Sequence, residues 1–196
     1  MIELTDDLLI SQGRNRKCFL HPEDHLRCIK VLHDNSPIKT QIRENRYFKH
    51  LSKRSIDWYM VTPLLELVPT NRGIGAVFEL VRDHDGQISK TLDYYLRLKD
   101  PELDTFVIRE IENLKNYLWS EGIIFRDLNP LNILVQQLEK SNYRLMVVDG
   151  IGHNDFLPIS NFSLYLSRNK IKRTWNRKMY RWFGQYENII DSIKLY

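Results

Sequence analysis

An α+β fold is what this 196-residue sequence predicts, and three observations predict it. Short segments of strand character fill the first third, a long helical stripe occupies the middle, and further apolar segments of strand character follow the stripe. No internal repeat or low-complexity tract interrupts that order. With 42% hydrophobic residues the chain can bury a real core, which excludes a disordered tail.

Taken in order, Leu8–Ser11 (LLIS), Cys18–Leu20 (CFL) and Arg27–Leu32 (RCIKVL) read as strands, with a polar turn containing Gly13 after the first. In the third, Cys28 and Lys30 alternate with Ile29 and Val31, and period alone leaves open whether Lys30 faces inward or outward. His21 and His25 are four apart, but Pro22 and the acidic residues between them predict a turn rather than a metal site. Behind a DNSP turn, Pro37 precedes a helix over Lys39–Leu51 whose Glu44, Tyr47, Phe48 and Leu51 share one face. WYMVTPLLEL and GAVFELV read as two more strands joined by the turn TNRGIG.

The middle of the chain changes period. Val107, Ile111, Leu114 and Leu118 form one apolar helical stripe, and Gly122 suits the left-handed residue that ends such a helix. Next comes IIFRDLNPLNILV, Ile123–Val135, which predicts two short strands holding a rigid polar loop. RLMVVDG, Arg144–Gly150, reads as a strand ending in Asp149, with QQLEKSNY as the loop that makes the pair a hairpin.

The tail carries the charge. The net charge is +4, yet from Ser163 onward eight Lys or Arg face only Glu187 and Asp191, so the remainder of the chain is slightly acidic. In the same segment Trp175, Met179, Trp182, Tyr186, Ile189 and Ile193 advance by alternating steps of four and three, an apolar stripe with basic residues on the other faces. Packing on the domain is the expected role of such a stripe. A protein partner or an anionic membrane surface remain alternatives, and nucleic acid is disfavoured because no base-reading module accompanies it.

Cys18 and Cys28 lack C-x-x-C spacing and read as reduced core or surface thiols. The opening MIELTDD is acidic, with no cationic segment leading into an apolar one, and no run is apolar over a transmembrane length. A cytoplasmic location is expected.

IIFRDLNPLNILV resembles the catalytic loop of protein-kinase-like folds, H-R-D-L-x-x-x-N, placed after a helix ending in Gly. CIKV at Cys28–Val31 resembles the strand carrying the ATP-binding lysine, Glu44 the partner glutamate on the next helix, FELV at Phe78–Val81 the hinge, and VVDG at Val147–Gly150 the strand with the metal-binding aspartate. Five matches in order carry more weight than one short motif. Over essentially its whole length the chain resembles the bacterial YrbL family, small kinase-like proteins associated by name with the PhoP regulatory network.

That resemblance implies a minimal two-lobed fold. Residues 1–81 would be a nucleotide-covering antiparallel sheet with one helix, and 82–196 a reduced helical lobe with the loop and the basic C-terminal helix. It implies ATP and Mg²⁺ as cofactors, with Lys30 on the α and β phosphates and held by Glu44. Gly13 would lie in the phosphate loop, and Glu79 and Val81 would meet the adenine. Asn132 and Asp149 would bind Mg²⁺, and Asp127, with Asn132 beside it, would serve the acceptor hydroxyl. Singly, each residue has a local alternative: a solvated lysine, a surface glutamate, a loop-capping Asp or Asn, or a hairpin Asp-Gly.

Departures from the pattern qualify the expectation. Phe125 replaces the loop histidine at a packing position, and Asn129 stands where many protein kinases keep a lysine for the γ-phosphate. Only Gly13 occupies the phosphate loop, so Arg14, Arg16 and Lys17 are expected to stand in for close backbone amides. Arg126 reads as a structural donor within the loop. No A-P-E or activation segment follows Asp149, so the large substrate platform is reduced or missing. The expected function is phosphate transfer from Mg²⁺-ATP to a hydroxyl of a small molecule or protein. The alternatives are a pseudokinase acting as a regulatory interaction module and, third, an AMP-transferring enzyme.

Overall fold

The computed structural model of the protein describes residues 1–98, 101–140, 142–152 and 163–184. It is α+β: among the described residues there are a five-stranded antiparallel sheet, a three-stranded antiparallel sheet and four α-helices.

The first sheet has the order β1-β2-β3-β5-β4, from β1 (Leu9–Gln12), β2 (Arg16–Leu20), β3 (Arg27–Leu32), β4 (Leu64–Thr70) and β5 (Gly73–Glu79). Its two faces differ in kind because side chains alternate along each strand. Phe19, Ile29, Val31 and Val77 point to one face and are buried with Leu4 in a small core of their own. Residues directly opposite each other share a face, so the pairings Cys18 with Lys30, Lys30 with Ala76 and Cys28 with Phe78 define the other. Arg16, two residues before Cys18, falls on that same face. The register settles the orientation of Lys30: it is turned inward and is 8% exposed.

Helix α1 (Ile38–Ser52) crosses over from β3 toward β4 and buries Gln41, Glu44, Tyr47, Phe48 and Leu51, the face expected from the sequence. WYMVT is not a strand of the first sheet. Instead Val61 bridges Val147 in parallel, with Val147 N–H donating to the Met60 carbonyl (2.8 Å) and Thr62 N–H to the Val147 carbonyl (3.1 Å). Pro63 lacks a donor, so the ladder of β4 begins only after it. The turn read as TNRGIG is tighter than expected: Thr70 pairs with Gly73, leaving Asn71 and Arg72 as the loop. His21 sits in a turn, its Nδ1 accepting from the backbone N–H of Glu23 and Asp24 (3.2 and 3.1 Å).

The second sheet consists of β6 (Lys90–Thr91), β7 (Ile133–Glu139) and β8 (Asn142–Val147). Most of QQLEKSNY, expected to be loop, is strand: β7 runs to Glu139 and Glu139 pairs with Asn142. Two α-helices lie between β6 and β7 among the described residues. The first, α2 (Leu92–Leu98), had no counterpart in the sequence reading, and the second, α3 (Pro101–Glu121), carries the expected stripe of Val107, Ile111, Leu114 and Leu118, all buried. Its end is a Schellman-type stop. Gly122 has φ +63°, Ile123 N–H reaches back to the Leu118 carbonyl (2.9 Å), and the Arg54 guanidinium donates to the Glu121 carbonyl.

Helix α4 (Leu164–Phe183) is capped by Ser163, whose side chain accepts from Leu166 N–H. Ile171, Trp175, Met179 and Phe183 on one face are buried in the main core with α3, the loop before β7, and Phe48 and Leu51 of α1. The stripe therefore packs on the domain as far as it is described, and Tyr186, Ile189 and Ile193 lie outside the described residues. No helix among the described residues is long and apolar enough to cross a membrane.

Candidate active site

Between the Lys30 face of the first sheet and the loop before β7 lies a cleft of about 1020 Å³. Of the residues singled out in the sequence, Gly13, Lys30, Glu79, Val81, Asp127, Asn132 and Asp149 all line it. Glu44 lies behind this lining, 3% exposed.

The polar floor is built by two loops bonded to each other. Gly150, φ +82°, brings its carbonyl to the backbone N–H groups of Arg126 (2.6 Å) and Asp127 (3.2 Å). A Cβ at Gly150 would lie 1.8 Å from the Asp127 carbonyl oxygen, so only glycine permits this approach. Further bonds join Val148 N–H to the Asn132 carbonyl (3.0 Å) and the Asn132 Nδ2 to the Asp127 carbonyl (3.0 Å). The hairpin reading of Asp149-Gly150 fails, since β8 stops at Val147 and Gly150 serves the neighbouring loop. IIF is likewise not a full strand: Phe125 makes a single bridge to Ile151. Its ring meets Trp175 edge-on at 5.9 Å, as a packing position should.

Asp127 is half-buried, and its Oδ2 accepts from Asn129 Nδ2 (2.9 Å). Asn129 also accepts the Leu131 N–H on Oδ1 (2.9 Å), so both ends of its carboxamide are used within the loop. The Asn132 amide nitrogen is likewise engaged, which leaves its oxygen as the atom suited to a cation.

Charge is arranged differently from the expectation. The Lys30 ammonium donates to the Val148 carbonyl and lies 4.5 Å from the Phe78 ring centre. Glu44 is held by guanidinium groups. Arg16 makes a two-pronged bond to it (2.7 and 2.6 Å), and Arg126 Nη2 adds a third at 2.8 Å. Arg16 also reaches Asp149 Oδ1 at 3.1 Å. Two expectations are corrected: Lys30 is not the partner of Glu44, and Arg16 is not a free cation of the phosphate loop. A planar guanidinium can bridge two carboxylates at once, which a lysine's single ammonium on strand β3 does less well. The signal was present in the sequence, because period two from Cys18 puts Arg16 on the cleft face.

Asp149 shows the electrostatic result. Burial alone would raise its pKa, but Arg16, Lys30, the Gly150 N–H and Arg126 together hold it below the ordinary carboxylate value. Arg16, although burial opposes its charge, is held protonated by Asp149 and Glu44. Cys18 and Cys28 are free thiols on the same cleft face, and their proximity pushes the Cys18 thiol above the ordinary thiol value and Cys28 below it.

In the segment that follows β5, Leu80 N–H donates to the Leu26 carbonyl (2.8 Å) and the Val81 carbonyl accepts from Ser89 N–H (3.1 Å). Ile10, Cys28, Leu134 and Val148 give the cleft apolar walls beside this segment. Among the described residues no group of three or more His, Cys, Asp or Glu is placed to hold a metal ion. Asn132 and Asp149 bring side-chain oxygens to the cleft, as do Glu79 and Asp127.

A family model described as PhoP regulatory network protein YrbL matches residues 2–182. Two curated relatives, both named uncharacterized protein YrbL, from Escherichia coli (strain K12) and Shigella flexneri, are each 33% identical over 180 residues, covering 90% of this chain and 86% of the relative. The match spans the cleft, the loop and most of α4, and the chain belongs to the family described as PhoP regulatory network protein YrbL.

Proposed function

We propose that the chain binds Mg²⁺-ATP in the cleft, as a minimal two-lobed protein-kinase-like protein, and transfers the γ-phosphate to a hydroxyl of a small molecule or a protein. What carries this reading is the convergence of Lys30, Asp127, Asn132 and Asp149, from distant parts of the chain, on one cleft. A structural or interaction module has no need of all four together.

Lys30 faces the polyphosphate, and the apolar walls take the base, bonded to the backbone at Glu79 and Val81. Asn132 and Asp149 offer two oxygen donors, which suits Mg²⁺, an ion that completes its shell with phosphate oxygens and water. Asp127 orients the attacking hydroxyl and receives its proton. The family's name supplies a regulatory setting that fits either kind of acceptor.

One observation favours a second reading, the pseudokinase. Arg16 supplies Asp149 with a counter-charge from within the protein, at 3.1 Å. A nucleotide-binding regulatory module would keep that bond and bind ATP whether or not Mg²⁺ is present.

The test uses ATP labelled separately at the α and γ phosphates, with a cell lysate as acceptor. Saturating Mg²⁺-ATP at a hundredfold its dissociation constant should stabilise the fold by about 2.7 kcal/mol. The γ label should move to an acceptor, and Asp127→Ala should keep that binding while losing on the order of 10²–10⁴ in transfer rate. Movement of the α label instead would establish AMP transfer. Binding without transfer of either label selects the pseudokinase, and no change in melting with nucleotide removes the ATP site altogether.

A further inference from the structure

The loop before β7 lacks a cation where a transferred phosphoryl group gathers charge, because Asn129 is neutral and both ends of its carboxamide are engaged. The C-terminal helix brings one to the same place. Lys178 lines the cleft beside Asp127, Asn129 and Asn132, and its ammonium donates to the Arg126 carbonyl, one residue before Asp127. Arg181 and Trp182, three and four residues on, line the cleft as well, and the ammonium lies 5.4 Å from the Trp182 ring centre. These residues form one edge of α4, next to the face that Ile171, Trp175, Met179 and Phe183 bury. The buried face fixes the helix, so the cationic edge is held at the loop.

From this geometry we infer that Lys178 of α4 is the cation that meets the γ-phosphate and stabilises it during transfer, a role the loop residue Asn129 cannot fill. This rests on the phosphotransfer reading of the cleft. Among the described residues six cationic residues line the cleft, Arg14, Arg16, Lys30, Arg126, Lys178 and Arg181, against the carboxylates Glu79, Asp127 and Asp149. Arg16 and Arg126 are committed to Glu44, and Lys30 sits at the β3 side. Lys178 is the half-buried cation on the Asp127 side. Desolvation there lowers its pKa, partly opposed by Asp127. The ammonium's bond is to a single backbone carbonyl, which leaves two further donors.

The experiment compares Mg²⁺-ATP with Mg²⁺-ADP, which lacks the γ-phosphate. Calorimetric titration of wild type should show tighter binding of ATP. In Lys178→Gln that preference should fall by about tenfold with ADP affinity unchanged. γ-Phosphate release, to acceptor or to water, should slow by on the order of 10²–10³. Lys178→Arg should recover part of both, because it keeps the charge. A merely structural lysine, lost from the Arg126 carbonyl, would alter both nucleotides alike, and that result overturns the inference. So does a wild-type ATP-to-ADP ratio retained in Lys178→Gln.

Should the variant not fold, wild type is treated with an amine-acylating reagent and read by mass spectrometry. Mg²⁺-ATP should protect Lys178 more than Mg²⁺-ADP does, and equal protection overturns the assignment. If wild type binds neither nucleotide, the phosphotransfer reading itself falls. An unchanged Lys178→Gln in a protein that does bind and transfer removes Lys178 alone.

Discussion

At Asp149 two opposing effects meet, and the direction of its pKa says which prevails. Burial favours the neutral acid, while Arg16, Lys30, the Gly150 N–H and Arg126 favour the carboxylate, and the net shift is downward. A depressed folded-state pKa contributes stability that is present above the unfolded value, near 3.8, and is lost as pH falls through the lower folded value. Stability should therefore lose this contribution below about pH 4, and Asp149→Asn should lower stability at neutral pH and flatten that part of the acid limb. Because the side chain is 34% exposed, solvent screens part of the effect. Denaturant titrations of both proteins between pH 2 and pH 7 measure it, and identical acid limbs would show that Arg16 does not hold the carboxylate. The metal ion proposed for Asp149 would have to compete with the same guanidinium.

Helix α4 is where sequence pattern and structure agree most usefully. The step of four from Trp175 to Met179 was visible without any structure, and both are buried. Trp182, also part of that stripe, is only partly buried and lies at the cleft rim. Trp175→Ala should destabilise by roughly 3–5 kcal/mol in chemical denaturation. Trp182→Ala should cost clearly less and act on nucleotide binding instead, since Lys178 packs on its ring. Equal losses for the two would place Trp182 in the core and undo its assignment to the rim. Periodic apolar faces were legible throughout, in α1, α3 and α4, because burying a stripe is the main constraint on those residues. Features set by distant partners were not legible. WYMVT looks like a strand but spends its hydrogen bonds on Val147 of the second sheet. QQLEKSNY has the composition of a loop, yet pairing across β7 and β8 draws most of it into strand. The residues singled out in the sequence line one cleft, while the identity of Glu44's partner depended on which cation the sheet brings nearest.

Across the whole molecule, Glu44 joins parts that share no strand pairing. Its carboxylate on α1 takes Arg16 from β2 and Arg126 from the loop before β7, and Arg16 continues to Asp149 after β8. All four charges lie between the first sheet and the helical part. Removing the central anion leaves two guanidinium groups facing each other in a site where Glu44 is 3% exposed and Arg16 10%. Loss of one partner from a buried ion network costs about 3–5 kcal/mol, because the uncompensated charges remain desolvated. Glu44→Gln, similar in shape, should therefore lose stability on that scale, whereas Arg16→Met leaves Glu44 paired with Arg126 and should lose less. Hydrogen exchange separates a local from a shared effect. The amides of Arg126 and Asp127, bonded to Gly150, should exchange faster in Glu44→Gln, while those pairing β3 with β5 should be little changed relative to global stability. A variant that melts like wild type with unchanged exchange at Arg126 and Asp127 would mean that the backbone bonds to Gly150 hold the loop by themselves. The ion network would then be an adjunct to the cleft, with no part in coupling the first sheet to the loop.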